Sequence, residues 1–127
     1  MQGYGSGPPP RHMLVVERDM ITGFGLAEEL IDLGYRVSGP FAGHEEALAL
    51  LETDPPDAAI IDLALTDGSG ITAARALRAR QVPVVFFSAG DRHRYVDGEF
   101  ADVPWIDKPA TTERLLKALK MPSDGRV

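Results

Sequence analysis

Apolar residues in this chain gather in short continuous blocks, and the stretches between the blocks repeat at helical spacing. Met13 to Glu17 (MLVVE) is an apolar run ending on charge, which predicts a buried strand. Ile21, Phe24, Ala27, Leu30 and Ile31 follow at helical spacing and predict a helix whose buried stripe they form, closed by Gly34. Tyr35 to Gly39 predicts a second strand, stopped by Pro40. Glu45 to Glu52 (EEALALLE) reads as a helix by propensity and pattern, ended by Pro55-Pro56. Ala58 to Asp62 (AAIID) is a third strand ending on a carboxylate. Asp67-Gly68-Ser69-Gly70 is loop chemistry before a helix over Ile71 to Arg80. Val82 to Phe87 (VPVVFF) and Val103 to Asp107 supply two more strands. Thr111 to Lys120 is a last amphipathic helix, with Glu113 in its first turn and Lys117 and Lys120 in its last, matching the helix dipole.

Strands that are apolar throughout, alternating with helices, imply a parallel sheet covered on both faces. Right-handed crossovers then give an α/β fold: a three-layer (βα)5 sandwich of the flavodoxin-like kind, with a central five-stranded parallel sheet in strand order 2-1-3-4-5. One connection breaks the pattern. Between Ser88 and Trp105 the stretch AGDRHRYVDGEFADVP carries few aliphatic residues, so a helix there is expected to be short, frayed or mobile. Glycines and Pro8 to Pro10 crowd the start, predicting a flexible tail over 1–11, one domain over 12–121 and a C-terminal tail over 122–127.

The composition narrows the function. The 127 residues are room for one domain, and 19 acidic against 13 basic side chains leave a net charge of −6, unlike a nucleic-acid footprint. No apolar run reaches the roughly 18 residues of a membrane span, and the N-terminus lacks the apolar core of a secretory signal. Without cysteine there is no thiol chemistry, and His12, His44 and His93 share no helical spacing that would suit zinc. A cytoplasmic protein with neither nucleic-acid nor membrane partners is expected.

In open α/β sheets chemistry collects where the C-terminal strand ends meet the loops. Those ends carry Glu17-Arg18-Asp19, then Asp62, then Ser88, then Lys108. Carboxylates, a hydroxyl and a lysine at one rim suit a divalent metal and a phosphoryl group, and Asp62 has the chemistry of a nucleophile that forms an acyl phosphate. Gly23-Phe24-Gly25 imitates a dinucleotide fingerprint, but it starts several residues after the strand and Glu28 stands where a third small residue belongs, so that reading is rejected.

MLVVERD (13–19), AAIIDLAL (58–65) with Asp67-Gly68 following, VPVVFFSAG (82–90) and PWIDKP (104–109), in that order, resemble the receiver domain of two-component response regulators. The resemblance spans about residues 12–120. It implies that Asp62 accepts a phosphoryl group from a sensor histidine kinase or a histidine phosphotransfer protein, and that the domain has no activity beyond catalysing its own phosphorylation and dephosphorylation. It implies Mg²⁺ held by Glu17, Asp62 and the backbone carbonyl of Ala64. Ser88 takes the place of the switch hydroxyl, Lys108 of the lysine that contacts the phosphoryl group, and Trp105 of the aromatic switch. Lys108-Pro109 is expected to be cis. The output would be a protein–protein contact with a downstream target, with a homodimer one form of it. Because little chain follows Lys120, a stand-alone single-domain regulator is expected.

One departure from the family pattern bears on chemistry. Arg18 stands where a second acidic metal ligand is usual, with Asp19 one position further on as the alternative ligand. Weaker Mg²⁺ binding is therefore expected, and the alternative is a pseudo-receiver in which Arg18 has displaced the metal. Ala64 and Gly90 are small residues beside the pocket, so water should reach a phosphoryl group and shorten its life. A hydrolase with an aspartyl nucleophile is a third class, disfavoured because Ala64 lies where a second aspartate would be needed.

Overall fold

A computed structural model describes residues 9–65, 68–89 and 98–127. The element order is β1 (His12–Val16), α1 (Met20–Asp32), β2 (Arg36–Phe41), α2 (His44–Thr53), β3 (Ala58–Ile61), β4 (Ala64–Leu65), β5 (Gly68–Ser69), α3 (Ile71–Ala79), β6 (Val84–Ser88), a 3₁₀ turn (Gly98–Phe100), β7 (Trp105–Asp107) and α4 (Thr112–Ala118). The main sheet is parallel throughout, in spatial order β2-β1-β3-β6-β7. This is the expected five-stranded order, since β4 and β5 form only a two-residue antiparallel pair beside it.

Strand side chains alternate between two cores. Leu14, Val16, Ile61 and Phe86 face α2 and α3, packing with Leu51, Ala73 and Leu77. Met13, Val15, Ile60 and Val85 face α1 and α4, packing with Leu26, Leu30, Leu115 and Leu116. Each central strand is buried on both faces, which is why its sequence is apolar without alternation.

Two expectations change. Pro40 does not stop the second strand: β2 runs through it to Phe41, with a register irregularity opposite Leu14 and Val16. β2 is the sheet's edge, where a missing N–H is tolerated. Gly39 makes the bend with φ 107°, and a Cβ there would lie 2.2 Å from the Val15 carbonyl oxygen.

The buried stripe of α1 also keeps only Ala27 and Leu30 of the expected set. Ile21, Phe24 and Ile31 are 88%, 61% and 56% exposed, while Gly23, Leu26, Ala27 and Leu30 face inward. The cause is Gly23, whose added Cβ would come within 2.6 Å of Pro40: the helix approaches β2 on its glycine side, and Phe24 is turned out. The false fingerprint glycine is thus a packing residue.

At the C-terminus, residues 122–127 are tied to the body. Gly125 N–H donates to the Leu33 carbonyl (2.8 Å), its own carbonyl accepts from Arg11 N–H (2.8 Å), and Tyr35 Oη donates to the Pro122 carbonyl (2.5 Å). Of the weak connection after Ser88, residues 98–100 form one 3₁₀ turn; the expectations for 90–97, for Gly90 and for most of the N-terminal tail lie outside the described residues.

Candidate functional site

Four side chains meet at the C-terminal rim, three of them one step beyond a strand and Ser88 at the end of one. Val16 pairs with Ile61 and Ile61 with Phe86, so Glu17 and Asp62 are delivered side by side, with the Asp62 N–H donating to the Val16 carbonyl at 2.8 Å. Ser88 ends β6, pairing with Asp107, and Lys108 follows β7 with a cis Lys108–Pro109 bond, as expected. Glu17, Asp62 and Ser88 are 2%, 4% and 3% exposed.

The two oxygens of Asp62 are held differently. Oδ1 accepts from Ser88 Oγ and from the Ala64 N–H, both at 3.0 Å. Oδ2 lies 3.2 Å from Lys108 Nζ, and the same ammonium lies 2.5 Å from Glu17 Oε1. Glu17 Oε2 accepts from the Asp19 N–H at 3.0 Å, whereas Oε1 has the ion pair but no hydrogen bond of good geometry. Burial and the adjoining Asp62 push the Glu17 carboxyl above its ordinary pKa. Burial would push Asp62 the same way, but its hydrogen bonds with Glu17 and the Ala64 amide, together with Lys108, outweigh burial and hold it below the ordinary value. The arrangement therefore keeps Asp62 as the ionised oxygen nucleophile of the pair.

The other expected residues are placed elsewhere. Asp19 is exposed and caps α1, its Oδ1 accepting from the N–H groups of Ile21 (3.0 Å) and Thr22 (3.4 Å). Its neighbour Arg18 is also exposed, and Lys108, not Arg18, is the cation beside Asp62. Trp105 is half-buried, its ring edge-on to Phe86 at 6.2 Å and its indole N–H donating to Asp107 Oδ1 at 2.8 Å.

Residues 13–120 match the family of the response regulator receiver domain. This chain belongs to that family. Among curated relatives of the receiver, the transcriptional regulatory protein PdtaR of Mycobacterium tuberculosis is 27% identical over 115 residues, covering 88% of this chain and 56% of the relative. The positive alginate biosynthesis regulatory protein of Pseudomonas aeruginosa is 32% identical over 116 residues, covering 88% and 47%. The chain thus spans about half the length of the curated relatives it matches. A response regulator receiver protein from Sinorhizobium medicae shares the fold with a TM-score of 0.77 at 20% identity, covering 87% of this chain and 92% of that one. The receiver domain of the sensor histidine kinase PA1611 from Pseudomonas aeruginosa, solved with a magnesium ion coordinated in its active-site cleft, has a TM-score of 0.72 at 26% identity, covering 87% and 95%. Among the described residues no helix is long and apolar enough to cross a membrane.

The receiver's own donor set suits a hard divalent cation. Two buried carboxylates converge, and Glu17 Oε1 has no hydrogen bond to satisfy it. Mg²⁺ needs only one or two carboxylates, completing its shell with water and phosphoryl oxygens. Among the described residues no third acidic or histidine group joins them. One contributor escaped the sequence reading. Gly70 packs where a Cβ would lie 2.5 Å from the Asp62 carbonyl oxygen, so α3 starts against the backbone of the site. Its run of loop residues marked a turn but could not mark that approach.

Proposed function

We propose that Asp62 is the phosphoacceptor of this receiver, charged by a sensor histidine kinase or a histidine phosphotransfer protein. The observation that carries this reading is the engagement of both Asp62 oxygens by groups that can follow a phosphoryl group, Ser88 Oγ at 3.0 Å and Lys108 Nζ at 3.2 Å. An Asp62 oxygen attacks phosphorus in line, the O–P bond forms as the donor's P–N bond breaks, and the electron pair leaves with the imidazole. Lys108 neutralises charge on the transferred oxygens, and the Ser88 hydroxyl exchanges its Asp62 contact for one of them. Glu17, Asp62 and the Ala64 carbonyl would hold Mg²⁺, which when bound neutralises the phosphoryl oxygens.

Transfer biases a two-state element, and Trp105 follows Ser88 as the aromatic switch, altering the surface read by a downstream protein. The small Ala64 side chain leaves a path for water, so the aspartyl phosphate is short-lived. The exposed stripe of Ile21 and Phe24, beside a cleft that Lys108 and Pro109 help to line, is the apolar surface a phosphodonor protein would cover.

Acetyl phosphate supplied across a Mg²⁺ titration should give one phosphoryl adduct by intact mass and a change in Trp105 fluorescence. Both should vanish in Asp62→Asn. An absent adduct at saturating Mg²⁺ would overturn the reading, and its recovery in Arg18→Asp would identify the chain as a pseudo-receiver.

A further inference from the structure

The 3₁₀ turn Gly98–Phe100 and the residues up to Asp102 have little of their own to hold them. A single 3₁₀ turn is not self-stable. Glu99, Ala101 and Asp102 are exposed, and Phe100 is the one side chain of the five that is buried. What holds the segment comes from α3. Arg75 forms a bidentate pair with Glu99, Nη2 to Oε1 at 2.5 Å and Nε to Oε2 at 3.3 Å. Arg78, one turn later, donates to both Asp102 oxygens at 3.1 and 3.0 Å and to the Glu99 carbonyl. The two guanidinium carbons lie 6.0 and 5.5 Å from the Phe100 ring centre, so the ring is held from the solvent side by cations.

On its inner side the same ring meets Phe86 edge-on at 5.6 Å, and Phe86 meets Trp105 edge-on at 6.2 Å. Phe86 is fully buried in β6, two residues before Ser88, and is the ring that touches both. A shift of Phe100 thereby changes the room available to Trp105. At its other end, α3 is keyed to the site by Gly70 against the Asp62 backbone.

We infer that Arg75 and Arg78 are positioning residues: an ionic latch from α3 that seats Phe100 and, through Phe86, sets the resting position of Trp105. The latch belongs to the unmodified protein, so its test needs no phosphoryl donor and stands or falls apart from the phosphoacceptor reading.

Trp105 is the chain's single tryptophan, so its emission reports that ring alone. In the double variant Arg75→Gln/Arg78→Gln, amide exchange over residues 98–103 should quicken about tenfold, the combined effect of two exposed ion pairs and their ring contacts. Trp105 emission should shift with it. Raising salt from about 0.05 M to about 0.5 M should move the wild type towards the variant and leave the variant where it is. The exchanged pair Arg78→Asp/Asp102→Arg should restore most of the protection. Faster exchange with unmoved Trp105 emission would overturn the coupling, and no change in either would overturn the latch.

Discussion

Strand β1 carries a buried polar cluster at each end, and the two are built on opposite principles. At its start, His12 Nε2 meets Ser38 Oγ at 2.6 Å, and the His12 N–H donates to Asp57 at 2.7 Å. The charges around it reach water: Arg36 and Asp54, paired at 2.5 Å, have side chains 48% and 45% exposed, and only the imidazole is fully enclosed, its Nδ1 without a hydrogen bond and 3.8 Å from Asp54. Beyond its other end, the enclosed groups are themselves charges, two carboxylates sharing one lysine. Leaving one nitrogen of a neutral ring unpaired costs far less than burying two like charges. The lower cluster serves the fold, and the upper one holds a strain that a cation or a phosphoryl group would relieve.

Removing the shared cation should break that contrast most severely. Lys108→Ala leaves Glu17 and Asp62 facing one another without a counter-ion and should cost about 3 kcal/mol in urea unfolding, while Asp62→Asn, which removes one of the like charges, should leave stability unchanged or higher. If Lys108→Ala costs no more than a surface substitution, the two carboxylates already share a proton and the upper cluster is as relaxed as the lower.

How far each cluster was legible follows from the same difference. Glu17, Asp62, Ser88 and Lys108 could be read because a parallel sheet gathers its strand ends, and the first three stand directly after an apolar run while Lys108 follows Trp105-Ile106-Asp107. Asp19 could not be settled so, because a carboxylate just before a helix is equally a cap, and here it caps α1. Of the apolar positions expected to form the buried stripe of α1, only Ala27 and Leu30 turn inward, because the helix comes close to Pro40 at Gly23, an approach that no local pattern marks. Nothing local marks Arg75 and Arg78 as partners of a turn some 24 residues away. The lower cluster was missed for a related reason. His12, Ser38 and Asp54 share no motif and meet only because β1, β2 and the end of α2 do.

The lower cluster predicts a gentler, pH-dependent effect. Burial, with Arg36 nearby, lowers the His12 pKa from 6.5, and Asp54 and Asp57 only partly offset this. The unfolded chain therefore takes up the proton first. Stability from this group is fully present above about pH 6.5 and is lost as pH falls through the lower folded-state value. Comparing wild type with His12→Gln at about pH 7.5 and about pH 5.5 isolates it from the other histidines. The wild type should lose more stability than the variant over that interval. Equal losses would mean that His12 is protonated as easily folded as unfolded.

The smallest effect should come from the best-formed ion pair in the lower cluster. Arg36 and Asp54 make a bidentate contact, at 2.5 and 3.1 Å, closer than the single contact of Lys108 with Asp62. Distance alone would rank it level with the upper site, where Lys108 lies 2.5 Å from Glu17. Both side chains are about half exposed, however, so water and salt already solvate what Arg36→Gln would strand, and the change should cost only about 0.5 kcal/mol, fading as salt rises. It should also raise the His12 pKa slightly, since a nearby positive charge is removed. A cost approaching that of Lys108→Ala would show that proximity outranks burial here, and that the two ends of β1 are built alike.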